Sequence, residues 1–179
     1  MTTNINRVSI FTHISRLMVI PALFLLFALP AQANKGPNAT TQLNNVLNLY
    51  YDVKDALVSS DAATASKKAA ALLNAVKGVD AAHLTEDERK AFSPLQEKIS
   101  FDARHISEVQ DIAHQREHFA ALSLNMYALA KGVKISSAPV YEEYCPMKKS
   151  YWLSKEKDIK NPYYGSQMLT CGKVANTIE

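Results

Sequence analysis

Towards the C-terminal end of this 179-residue chain lie its two cysteines, each with a methionine close by: Cys145-Pro146-Met147 and Met168-Leu169-Thr170-Cys171. Cys145 and Met147, two apart, share one face of an extended strand. Met168 and Cys171, three apart, share one face of a helical turn. Each pair can therefore present a thiol and a thioether together. Two soft thiolates and two soft thioethers select copper(I) over harder ions, whereas zinc prefers histidine to methionine in such a set. The same cysteines support a plainer reading, because an even number in an exported chain is first of all a disulfide prediction. A bridge between Cys145 and Cys171 would close a loop of about 25 residues and stabilise the fold by roughly 3.5 kcal/mol on the chain-entropy model. The two readings are compatible if a bridged resting form takes metal only when reduced.

His114 and His118, at i and i+4, fall on one face of a helix and can chelate a metal as a pair, although surface histidines at this spacing are usually solvated. His118 lies close in angle to Leu122 and Leu129, a flank that the C-terminal segment could cover, which makes His118 a further candidate ligand. No catalytic set accompanies these residues: there is no C-x-x-C pair, H-E-x-x-H, G-x-S-x-G elbow or phosphate-cradling glycine loop. A bridged cysteine also has no thiolate to attack a substrate. The expectation is a protein that binds or supports, not an enzyme.

Compartment follows from the opposite end of the chain. Residues 1–16 carry Arg7 and Arg16 and no acid, an apolar run extends from Leu17 to Leu29, and Pro30-Ala31-Gln32-Ala33 supplies the small-x-small cleavage pattern. These are the three parts of a secretory signal. A retained membrane span would need about 20 apolar residues, and this run is shorter and carries Pro21 and Pro30. Cleavage near Ala33 releases a periplasmic protein that meets the membrane only through its signal. The 20 basic and 17 acidic residues become 18 against 17 once Arg7 and Arg16 leave, so the pI of 8.8 implies no basic face. Nucleic-acid binding by counterion release has no patch or motif to rest on.

These sulfurs and imidazoles must be positioned by helices. Five glycines in the whole chain, with abundant Ala, Leu and Lys, argue against a sheet sandwich. After a polar linker at 34–40, Leu43, Val46, Leu47, Tyr50 and Leu57 recur at helical spacing and predict a first helix ending near Ser59. Ser60 and Asp61 cap a second that Gly78 closes in the left-handed conformation. Thr85 with Glu88 forms a capping box for one or two turns, and Ser93-Pro94-Leu95-Gln96 starts a third helix. Ser107 with Gln110 offers a cap before a fourth, running from Glu108 to Lys131, with Val109, Ile112, Ala113, Ala120 and Tyr127 on its inner face. The expected fold class is all-α: one domain over 41–179, an up-down four-helix bundle of residues 41–131. An irregular aromatic-rich segment, 139–172, lies across it with short extended pieces at Val140–Tyr144 and Tyr151–Leu153.

The quoted residues also resemble a known family. His114-Gln115-Arg116-Glu117-His118-Phe119, Tyr144-Cys145-Pro146-Met147, Trp152-Leu153-Ser154, Asn161-Pro162-Tyr163-Tyr164-Gly165 and Met168-Leu169-Thr170-Cys171-Gly172 are similar to an exported family known as a domain of unknown function, DUF3347. The resemblance reaches back to Tyr51–Val58 and brings no established activity. It implies association with periplasmic adaptors of copper and silver efflux pumps, to which members are fused or adjacent. Those adaptors carry a Tyr-x-Cys-Pro-Met-His-Pro metal-binding segment. Here the residue between tyrosine and cysteine is missing and Lys148-Lys149 replaces His-Pro, so only Cys145 and Met147 carry over. The resemblance places soft-metal handling, with a cation-efflux adaptor as the partner, ahead of a disulfide-stapled interaction module.

Overall fold

The computed structural model describes residues 39–179; the expected signal sequence and most of the expected linker at 34–40 lie outside the described residues. Four helices come first: α1 (Ala39–Val58), α2 (Ala62–Lys77), α3 (Glu86–Glu108) and α4 (Ile112–Gly132). Consecutive helices pack on one another, as short connections require. Leu43, Val46, Leu47, Tyr50 and Leu57 form the buried stripe of α1 and meet Leu72 and Val76 of α2 in the core. Among the described residues no helix is long and apolar enough to cross a membrane.

Local signals set most helix ends, with four departures. Asp61 caps α2 by accepting from Thr64 N–H at 2.9 Å, as its type predicts. Gly78 closes that helix in a right-handed conformation, with φ of −84°, so its chirality is not what the site demands. Thr85 and Glu88 form a full capping box, yet it opens the whole of α3 and not one or two turns. Ser93-Pro94 starts nothing: Pro94 sits inside α3 on its exposed side, where water can take the carbonyl that the ring leaves without a partner. The fourth helix begins after Asp111, whose carboxylate accepts from Ala113 N–H at 2.8 Å and His114 N–H at 3.4 Å; a carboxylate satisfies these donors better than Ser107 could. Its buried face is Phe119, Leu122, Ser123, Met126 and Leu129, whereas Ala113 is exposed and Ile112, Ala120 and Tyr127 are only half-buried.

The larger correction concerns the C-terminal segment, which is a sheet and makes the fold more than all-α. Strands β1 (Val140–Cys145), β2 (Ser150–Ser154) and β3 (Lys173–Ile178) form an antiparallel sheet in the order β2-β1-β3. The register pairs Glu143 with Trp152 and Cys145 with Ser150 on one side of β1, and Tyr144 with Lys173 on the other, with a bulge between Glu142 and Glu143. The first two strands match the expected extended pieces. The third is an exposed edge strand whose Lys-Val-Ala-Asn-Thr-Ile lacks an apolar alternation, so its backbone pairing with β1 defines it. β2 lies against α4, and the seam is aromatic: Tyr50 stacks on Phe119 with centroids 5.2 Å apart, and Tyr163 meets Phe119 at 6.0 Å and Trp152 at 5.9 Å. The Tyr50 hydroxyl accepts from Leu153 N–H at 2.9 Å and bonds Ser123 Oγ at 2.8 Å, which satisfies its polar end inside the core.

Candidate functional site

The two thiols come together from separate elements. Cys145 ends β1 and is fully buried; Cys171, half-buried, lies in the turn before β3; both are free. Burial pushes the Cys171 thiol up, and neighbouring Cys145 adds to the shift through its charge and a hydrogen bond. Such a pair resists losing both protons at once until something binds in their place.

Asn161 joins them. Fully buried, it donates from Nδ2 to Cys145 Sγ at 3.2 Å and to the Cys171 carbonyl at 2.7 Å, while its Oδ1 accepts from Tyr163 N–H at 2.8 Å. Lys148 N–H also reaches Cys145 Sγ, at 3.4 Å. The thioethers stand at the surface instead, Met147 60% and Met168 39% exposed. A backbone turn from Cys171 N–H to the Met168 carbonyl, 3.0 Å, keeps those two residues adjacent.

The loop that carries Asn161 is anchored to the helices. Arg116 of α4 donates from Nε to the Pro162 carbonyl at 2.8 Å and from Nη2 to the Leu57 carbonyl at 3.0 Å and Ser60 Oγ at 2.9 Å. One guanidinium fork thus fastens the loop to the end of α1. Gly165 closes the turn at φ +56°, and a Cβ there would stand 2.5 Å from Ser60 Oγ and 2.9 Å from the Val58 carbonyl, so only glycine fits. The Asn-Pro-Tyr-Tyr-Gly run is a docking element, which turn propensity alone did not reveal.

Beside the thiols, β1 carries a buried acid. Neither oxygen of Glu143 and not the indole Nε1 of Trp152 has a well-aligned hydrogen-bond partner. Burial pushes the Glu143 carboxyl up to about 8, against the opposing pull of the nearby Lys54 charge and the Trp152 indole. Glu143 is therefore largely protonated at neutral pH.

His118 belongs to a different neighbourhood, not the C-terminal flank expected for it. Its ring packs against α3, with Nδ1 3.0 Å from Asp102 Oδ1, its centroid 4.5 Å from His105 and 5.9 Å from Phe101, and His114 of its own helix at 4.9 Å. The sequence pair His114 and His118 thus acquires a third imidazole, His105, and a buried carboxylate, Asp102. Asp102 and His105 are three apart on α3, a signal that was present but meaningless until α3 and α4 were known to face each other.

Set against known families, the chain matches over residues 46–138 the model described as protein of unknown function (DUF3347). No curated protein and no solved structure matches it.

Proposed function

We propose that this chain, which belongs to the DUF3347 family, is a non-catalytic periplasmic protein that binds copper(I) or a similar soft cation as a chaperone, buffer or efflux accessory. One observation carries the reading: two unbridged thiols, 26 residues apart in sequence, lie side by side with a surface thioether close in sequence to each. Cys145 and Cys171 would supply thiolate, Met147 and Met168 thioether at the solvent side, and sulfur donors of this kind favour copper(I). Exposure of both methionines suits a cargo that must be received from and passed to another protein. A cation-efflux adaptor is the partner that the Tyr144–Met147 segment suggests.

The test is a copper(I) competition titration on reduced wild type and on the Met147→Leu, Met168→Leu variant. Leucine keeps volume and apolar character, so each change should cost less than about 1.5 kcal/mol of stability, while copper(I) affinity should fall at least tenfold. Equal affinities, or no binding tighter than micromolar, would remove the proposal.

The same adjacency favours a second reading, in which Cys145 and Cys171 oxidise to a staple and the protein is a structural or interaction module. Thiol titration of native material separates the two, because a permanent bridge gives no free thiol and the metal reading requires a reducible one.

A further inference from the structure

We infer that His105, His114 and His118 form a second metal site, for a borderline divalent ion of the zinc(II) or copper(II) class, built on the seam of α3 and α4 and separate from the sulfur pair. The ligand nitrogens of the three side chains all lie within 4.8 Å of one another. Two nitrogens held at about 2.0–2.1 Å by one tetrahedral ion stand roughly 3.4 Å apart. Closing the cluster onto an ion therefore takes a contraction of up to about 1.4 Å between these nitrogens, within the reach of side-chain rotation. The rings of His105 and His118 are stacked 24° from parallel. Ring nitrogens bind in the ring plane, so the half-buried His105 is the ring that turns.

A second observation points the same way. Asp102, itself buried, holds Nδ1 of His118, which fixes the tautomer and leaves Nε2 as the ligand atom. A carboxylate behind an imidazole is the usual outer shell of a histidine metal ligand, orienting the ring and raising its basicity. His114 has the beginnings of the same arrangement, with Glu117 3.9 Å from its Nδ1. All three imidazoles are only partly buried, so an ion can reach the cluster from solvent. Nitrogen-only donors reverse the selectivity of the sulfur pair: imidazole suits zinc and copper(II), and a fourth position stays open to water or to a donor from a partner.

The experiment is a zinc titration of the purified chain, followed by competition with a chromophoric chelator and by the histidine side-chain resonances in NMR, which separate imidazole from sulfur binding. The resonances of His105, His114 and His118 should move together and saturate at one equivalent. His105→Ala and His114→Ala, both at half-exposed helix positions, should each weaken that binding at least tenfold, and Asp102→Asn by roughly 10–100-fold with all three ligands retained. Affinity should also fall as the pH is lowered, because protons compete for the same nitrogens. Unmoved imidazole resonances at saturating zinc, or alanine variants that bind as wild type, would overturn the site. Neither result touches the copper(I) competition described above, which reads the sulfurs.

Discussion

Along the α3–α4 seam, Asp102, His105, His114 and His118 are placed by helix periodicity on two elements whose ends are fixed by their own caps, Thr85 and Asp111. Around Cys145 and Cys171 the placement is done by side chains distant in sequence. Asn161 spans the two cysteines, and Arg116 ties the Asn161 loop to the end of α1. The first neighbourhood is half-open to solvent, and its buried carboxylate has an imidazole partner. The second includes a buried carboxyl, Glu143, that has no aligned partner. Ligand-type side chains set on helices depend on local structure. Those set on a small sheet depend on a few non-local ties, and damage should spread accordingly.

Substitution of Asn161 by Ala should give the largest effect. It strands the Tyr163 N–H and the Cys171 carbonyl and removes a donor from Cys145 Sγ. Buried groups left without partners cost about 1–3 kcal/mol each, so chemical denaturation should show a loss on the order of 3–5 kcal/mol. The reaction rate of the Cys145 thiol with a disulfide reagent should rise as the loop loosens. A variant as stable as wild type, with Cys145 still protected, would break the comparison.

The buried acid gives an intermediate effect that depends on pH. Glu143 has its folded-state pKa raised, so between its ordinary value and about 8 the folded chain holds a proton that the unfolded chain has released. Stability contributed by that proton is complete below about pH 4.5 and declines as the pH rises towards 8, by up to a few kcal/mol. Glu143→Gln removes the titration and keeps the shape. Urea midpoints measured from pH 5 to pH 8 should therefore fall less steeply for the variant than for wild type, and parallel slopes would show that Glu143 is not the group responsible.

The smallest effect is expected on the helical side. Thr85→Ala deletes the capping box at the start of α3. Loss of such a cap costs about 1 kcal/mol, to be read as a shift in the urea midpoint. Thiol reactivity at Cys145 should stay at the wild-type rate, since no hydrogen bond links Thr85 to the sheet among those described for it. A change in thiol reactivity would mean that the two regions are coupled more closely than their contacts imply.

The helices and their core were legible in the sequence because helix formation is local. Leu43, Val46, Leu47, Tyr50 and Leu57 repeat every three or four residues, and Asp61 and Thr85 satisfy donors within their own first turn. The chemistry of Cys145 and Cys171 was equally visible as residue types. Their adjacency was expected from residue type and number alone; the means of it, Asn161 and the pairing of β1 with both of its neighbours, was not legible. Strand β3 carries no alternating pattern and exists because β1 offers it backbone groups to bond. His105 carried no signal of its own along the chain; packing of α3 on α4 is what brings His114 and His118 to it. Periodicity within one element can be read along the chain. Contacts between elements are decided by which faces bury together, and only the folded molecule records that choice.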